Sequence, residues 1–240
     1  MGFREEEVKY RALFLDMDGT FLDFAAAEKS AFFSAMAAAG AAVTEREYRI
    51  YSAVNEGLWK AFERGEIEKD SIREGRFGLT FEKIGFSGDG LAAEKDYERF
   101  LAEGHELIPC AREVLEFLAA RYPLYVVTNG FAAVQRNRLR MADIERYMTD
   151  LFISEEIGYQ KPKKEFFDRC FQKIGGDLAP SQVLLVGDSL TSDILGANLA
   201  GLDACWFNPE GKENGTGARP DYEIRSLTEL KELLGEGERL

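Results

Sequence analysis

Four short stretches carry acids, one lysine and several hydroxyl or amide groups that could act together. In chain order they are Asp16-Met17-Asp18-Gly19-Thr20, Thr128-Asn129-Gly130, Gly158-Tyr159-Gln160-Lys161-Pro162 and Gly187-Asp188-Ser189-Leu190-Thr191-Ser192-Asp193. Two aspartates at positions i and i+2 can be aimed at one ligand from slightly different directions, and Gly19 lets the backbone turn sharply behind them. Paired carboxylates can divide labour, one ionised as a nucleophile and the other exchanging a proton as general acid and base. Four clustered carboxylates, Asp16, Asp18, Asp188 and Asp193, would repel one another and any phosphate dianion, so such a site needs cations. All-oxygen ligation with room for waters suits magnesium better than zinc. Lys161 would add a positive charge against both a nucleophile and a phosphoryl group, and Thr128, Asn129 and nearby backbone N–H groups could donate hydrogen bonds to phosphoryl oxygens.

Strand ends are needed to hold these stretches, and short apolar runs stand before them. Ala12-Leu13-Phe14-Leu15 runs into Asp16, Leu124 to Val127 into Thr128, and Val183 to Val186 into Gly187-Asp188; Leu151-Phe152-Ile153 precedes the lysine loop, and a fifth run covers 204–207. Runs this short and apolar predict strands buried on both faces. Helical patterns lie between the later runs, at 108–121, 131–141, 163–174, 190–200 and 227–234, with Gly175 and Gly201 placed as C-terminal caps. The alternation predicts an α/β fold, a Rossmann-like parallel sheet covered by helices on both sides. In such a sheet ligands bind beyond the carboxyl ends of the strands, where all four stretches fall. From Phe21 to about Glu106 the alternation breaks. Helical stretches near 25–39, 45–64, 71–84 and 91–103, separated by glycine-containing turns, read as an all-helical domain inserted after the first strand. The expected organisation is a core of 1–20 and 107–240 with a helical domain at 21–106.

Composition narrows the chemistry further. The 240 residues include 30 Lys plus Arg against 43 Asp plus Glu, a net charge of −13, and a single histidine, His105. One histidine and three widely spaced cysteines leave little material for a zinc site, and any histidine-based triad would have to run through His105. Cys110, Cys170 and Cys205 form no CxxC and are odd in number, which argues against a disulfide framework, fits a reducing cytoplasm and reads most simply as small core residues. The N-terminal MGFREEEVKYR lacks the basic and apolar regions of a signal peptide. The longest uncharged stretch, 30–44, is Ala-rich and shorter than the roughly 18 apolar residues a membrane span needs. An acidic chain repels a nucleic-acid polymer, whose binding is driven by Lys and Arg. A small phosphorylated molecule is compatible with this field where local cations or a metal offset it, and the expectation is a partner of that size, with no nucleic acid and no membrane, for a monomer or homodimer.

As an ordered set, Asp16-x-Asp18-Gly19-Thr20, Thr128-Asn129, Lys161-Pro162 and Gly187-Asp188-x-x-x-Ser192-Asp193 resembles the four motifs of the haloacid dehalogenase superfamily of hydrolases. The resemblance implies a parallel sheet in order 5-4-1-2-3 with a helical cap inserted after the first motif. It implies Asp16 as the nucleophile that becomes an aspartyl phosphate, and Asp18 as the group that protonates the leaving oxygen and then activates water. It further implies Mg2+ held by Asp16, the Asp18 backbone carbonyl and Asp188, with Asp193 supporting the metal through water, and Lys161 and Thr128 binding phosphate and balancing charge. The segments TNGFAAVQRNRL, ISEEIGYQKPKKEFFD and VGDSLTSDILGANLAGLDACWFNPEGK are similar to the branch of pyrimidine 5'-nucleotidases acting on noncanonical nucleotides, which implies a nucleoside monophosphate as substrate. Tyr159-Gln160 departs from the smaller residues usual in that branch. The alternative is a phosphatase for a sugar phosphate or another small phosphoester, or a phosphomutase; dehalogenation is disfavoured by the acid at Asp18. Substrate choice is expected to reside in 21–106.

Each stretch alone has a plainer reading, since Asp, Asn and Gly favour turns and a lysine before proline is commonly a solvated loop residue. Their order, each at a strand end, carries the chemistry. A receiver-type signalling domain also phosphorylates an aspartate with magnesium, but it places its lysine last, whereas Lys161 precedes the Asp188 stretch. His105 is expected to be structural or exposed, the run Glu5-Glu6-Glu7 to be a solvated terminus, and the aromatic residues of 21–106, Tyr51 and Trp59 among them, mostly to fill helix interfaces.

Overall fold

The computed structural model describes residues 9–235, so Glu5-Glu6-Glu7 and most of the stretch read for signal character lie outside the described residues. Strand β1 (Ala12–Leu15) is followed by four helices, α1 (Phe24–Ala38), α2 (Glu45–Glu63), α3 (Asp70–Ile84) and α4 (Gly90–Glu103). Then come α5 (Ala111–Ala119), β2 (Leu124–Thr128), α6 (Ala132–Met141), β3 (Asp150–Ile153), the one-turn α7 (Ser154–Ile157) and α8 (Lys164–Ile174). The chain finishes through β4 (Val183–Gly187), α9 (Leu195–Ala200), β5 (Asp203–Phe207), β6 (Tyr222–Ile224) and α10 (Glu229–Gly235).

Every residue of β1, β2 and β4 is buried, as expected of parallel strands covered on both faces. All strand pairs are parallel, in the order β3-β2-β1-β4-β5-β6. The expected order 5-4-1-2-3 therefore needs one correction, a sixth strand beyond β5. That strand has only three residues, with Tyr222 half-buried and Glu223 exposed, so it lacks the apolar run that marks the others. The sheet grows from β1 first toward β3 and then in the opposite direction through β4. This reversal sets the carboxyl ends of β1 and β4 side by side, with Leu15 in register with Val186. Beneath them Phe14 packs edge-on to Tyr125 and Phe152 at centroid distances of 5.9 and 6.3 Å, and is stacked against Phe167 at 6.5 Å.

The chain divides into two units. The first holds the sheet and comprises residues up to Asp23, 107–132 and 142 onward. The second is helical, 24–106 with 133–141; Asn137 and Arg138 of α6 donate to the carbonyls of Ala102 and Gly104, both at 2.7 Å. Its core is aromatic: Tyr51 is buried against Phe32, Phe77 and Tyr97, with ring centroids 4.7 to 5.5 Å apart. Trp59 is only half-buried, near Phe62. A polar chain threads this core. The Tyr48 hydroxyl and the Asn55 amide donate to Glu28, Arg76 donates to Asn55, and Arg76 forms a buried ion pair with Glu94. Helix α2 starts at a capping box in which the Thr44 hydroxyl accepts from the Arg46 N–H and Glu47 accepts from the Thr44 N–H.

Two expectations about single residues divide. His105 is exposed, with Nδ1 2.6 Å from the Glu103 carbonyl oxygen. Cys170 and Cys205 are buried, but Cys110 is exposed, because it caps the surface end of α5 at φ 66° instead of joining the core. No described helix is long and apolar enough to cross a membrane.

Candidate active site

All seven residues singled out from the sequence belong to the sheet unit. Asp16 leaves β1 with its N–H donating to the Val186 carbonyl at 2.9 Å, which ties the end of β1 to the end of β4. Its side chain is nearly buried. The centre of the site is the Lys161 ammonium, 1% exposed, which donates to Asp16 Oδ1 at 2.7 Å, Asp193 Oδ1 at 2.6 Å and the Val127 carbonyl at 2.8 Å. An ammonium has three N–H donors, so every one is used. Burial opposes the charge on Lys161, but Asp16 and Asp193 outweigh it and hold the ammonium above its usual range.

Asp193 is presented by an unusual turn. The N–H groups of Asp193 and Ile194 both donate to the Ser189 carbonyl, at 3.0 and 3.1 Å, which widens the start of α9 into a π-turn over Leu190–Ile194. The uniform helix expected over 190–200 therefore opens with this wider turn. Asp193 Oδ2 accepts from the Ser189 N–H at 3.1 Å, and the Ser189 hydroxyl accepts from the Ser192 N–H at 3.2 Å. Two glycines make room. A Cβ on Gly187 would lie 2.4 Å from the Asp193 carboxyl carbon, and one on Gly19, whose φ is +78°, would lie 2.6 Å from Asp188 Oδ2. Glycine is thus required at both places by close approach, and at Gly19 by backbone conformation as well.

Asp16, Asp188 and Asp193 each offer a carboxylate oxygen, all within 4.8 Å of one another. Burial pushes the Asp16 carboxyl upward against the pull of Lys161, and Asp193 and Asp188 add to the push. Asp188 keeps an exposed face, yet its dense protein surroundings and the charge of Asp193 push its carboxyl up to about 7. Three carboxylates set against one ammonium leave the cluster short of positive charge. Hard oxygen donors at this spacing fit a divalent cation of the magnesium type. The Asp18 carboxylate stands outside the trio and is half-buried, though its charge still reaches Asp188.

Thr128 is buried, and its hydroxyl accepts from the Gly130 N–H at 3.0 Å. The Asn129 side chain is committed on both sides: Nδ2 donates to the Lys161 carbonyl and Oδ1 accepts from the Lys161 N–H, each at 2.9 Å. Its amide therefore clamps the backbone of the lysine loop where a ligand-facing donor was expected. Four contributors carried no strong signal in the sequence. They are the Val127 carbonyl, Ser189, the Thr20 hydroxyl 3.5 Å from Asp16 Oδ2, and Trp206, whose indole N–H donates to the Asp188 carbonyl at 2.9 Å. Thr20 and Ser189 lie inside the motif stretches, but a backbone carbonyl and a tryptophan on the neighbouring strand have no local signature.

The chain is 41% identical over 226 residues to the HAD-hydrolase YfnB of Bacillus subtilis, covering 94% of this chain and 96% of that one. It is 37% identical to the pyrimidine 5'-nucleotidase PynA of Streptococcus pneumoniae over 94% of this chain and 95% of the relative. Identity to the pyrimidine 5'-nucleotidase YjjG of Escherichia coli is 35%, over 80% and 84%. The crystal structure of YfnB bound to magnesium superposes with a TM-score of 0.89 at 42% identity, covering 94% of this chain and 99% of that one. The model of the haloacid dehalogenase-like hydrolases matches residues 10–201, from the start of β1 past the π-turn, and this chain is a member of that family.

Proposed function

We propose that the protein is a magnesium-dependent phosphomonoesterase acting through an aspartyl-phosphate intermediate, with pyrimidine nucleoside monophosphates as its substrates. The observation that carries the reading is the buried Lys161 ammonium gripped between Asp16 and Asp193 at the carboxyl ends of adjacent strands. Asp16 is the nucleophile: its Oδ1 is held by Lys161, and attack by the carboxylate on phosphorus expels the nucleoside oxygen. Asp18, half-buried two residues on, gives its proton to that leaving oxygen. The same carboxylate then takes a proton from the water that cleaves the acyl phosphate, returning Asp16 and releasing inorganic phosphate. Lys161 offsets negative charge, and the Thr128 hydroxyl, which accepts from the Gly130 N–H, donates its own proton to a phosphoryl oxygen. Asp16, Asp188 and the Asp18 carbonyl, with Asp193 behind them, would hold magnesium, which would supply charge neutralisation for the phosphoryl group. Asn129 positions Lys161 in this scheme.

The nucleotide assignment draws on the two pyrimidine 5'-nucleotidase relatives, each above 30% identity over most of both chains. Three cysteines without a disulfide support a reducing, cytoplasmic setting. The test is a panel of nucleoside monophosphates and sugar phosphates with magnesium or EDTA. Pyrimidine nucleotides are expected to turn over fastest, and only with the metal. Faster hydrolysis of sugar phosphates would overturn the nucleotidase reading, and full activity of Asp16→Asn would overturn the mechanism.

A further inference from the structure

We propose that the groove between α2 and α3 binds a small amphipathic anion, an acyl or alkyl chain ending in a carboxylate or phosphate and taken up as a free monomer. Helix α2 has two apolar faces. One carries Tyr51 and Phe62 into the helical core; the other, at the three- and four-residue spacing of a helix stripe, carries Ile50, Ala53, Val54, Gly57 and Leu58. With Leu79 of α3, which is 41% exposed, this second face lines a cavity of about 680 Å³, a size typical of small-molecule sites. The stripe from Arg46 to Leu58 is about 18 Å long at helical rise, suited to an extended chain. Gly57 deepens it. A glycine inside a helix costs about 1 kcal/mol relative to alanine. Here a Cβ would meet nothing within 4 Å, so neither packing nor backbone conformation requires it.

The rim selects the charge. Arg46, Arg49 and Lys83 border the groove, are exposed, and make no ion pair or side-chain hydrogen bond among the described residues. Several other cations of the same unit are paired, Lys29 with Glu45, Lys60 with Glu56, Arg73 with Glu98 and Arg99 with Asp96. Arg46 lies within electrostatic reach of Glu47, whereas Arg49 and Lys83 face no acidic partner among the described residues; cations around an apolar floor, in a chain of net charge −13, complement an anionic head on an apolar body. Apart from these cations the lining side chains offer no hydrogen-bonding group, so a sugar or nucleobase would lose its partners there. Two copies docking groove to groove would set basic rim against basic rim, which disfavours self-association.

Decanoate and decan-1-ol titrated calorimetrically into the full chain test the proposal. Decanoate is expected to bind saturably at one site, and decanol about tenfold or more weakly, a gap of about 1.4 kcal/mol. Gly57→Leu fills the groove while favouring the helix, and the pair Arg49→Glu with Lys83→Glu reverses its rim. Each is expected to weaken decanoate about tenfold or more while circular dichroism and thermal unfolding show an intact fold. Absence of saturable binding, or equal affinity in the folded variants, overturns the site. So does association only with phosphatidylglycerol vesicles, which would make it a membrane surface, or a change in sedimentation coefficient with these substitutions, which would make it a self-association surface.

Discussion

Replacing Lys161 with methionine removes the charge and all three donors at the centre of the site while keeping a side chain of similar length. Asp16, Asp193 and the Val127 carbonyl each lose a partner at 2.6 to 2.8 Å. The two carboxylates, with oxygens no more than 4.8 Å apart, then face each other without a cation between them. At an effective dielectric near 20 that repulsion is about 3.5 kcal/mol. It agrees with the roughly 3–5 kcal/mol lost when one member of a buried pair is removed. Trp206 is a suitable reporter because its indole hydrogen-bonds the Asp188 carbonyl, and in a Trp59→Phe background it is the sole tryptophan. Urea unfolding at neutral pH in EDTA, followed by its fluorescence, is expected to show a stability loss of about 3–5 kcal/mol with an unchanged slope. The gap should narrow as pH falls, since the penalty requires both carboxylates to be ionised. Hydrolysis of p-nitrophenyl phosphate is expected to drop by about a thousandfold or more, the scale of a lost electrostatic contact in a preorganised site. A loss below about 1 kcal/mol, or a gap that widens in acid, would refute the buried-charge reasoning.

The remaining predictions concern the supports of the site and the helical core. Gly187→Ala places a methyl 2.4 Å from the Asp193 carboxyl carbon, so it should cost about 1–3 kcal/mol and lower turnover by displacing that carboxylate; unchanged kcat and midpoint would count against it. Asn129→Ala releases both clamps on the Lys161 backbone and should reduce kcat by about tenfold with KM little altered, whereas a rise in KM alone would mean that the amide binds substrate. In the helical unit, burial holds the Glu28 carboxyl above its ordinary 4.5 despite hydrogen bonds from Asn55 and Tyr48. Its neutral form therefore contributes stability that is present below about pH 4.5 and lost as pH rises through the elevated folded value. Glu28→Gln should gain on the parent across that window in unfolding measured at a series of pH values, and a flat difference would refute this.

Features that depend on neighbouring residues were legible in the chain. Apolar runs marked β1 to β5, and the four helices of 24–103 lie within a residue or so of the stretches read from pattern and turn glycines. The order of the motif stretches placed Asp16, Lys161, Asp188 and Asp193 at strand ends, and the structure gathers their side chains into one cluster. β6 was not legible, because an edge strand with one buried residue of three needs no apolar run. The surface position of Cys110 was equally hidden, since burial of a cysteine depends on the direction of the backbone at the start of α5.

Side-chain type and periodicity record which groups are buried and which can react, so the α/β class, the helical insertion and the chemistry available to the site were legible along the chain. Which group partners which is a property of the folded chain. Lys161 finds acceptors from residues 16, 127 and 193, Asn129 turns from a possible ligand donor into a clamp, and Gly187 proves indispensable because Asp193 lies against it. These pairings join residues distant in the chain, so they depend on strand order, on register and on the π-turn at Leu190–Ile194, none of which a local pattern encodes.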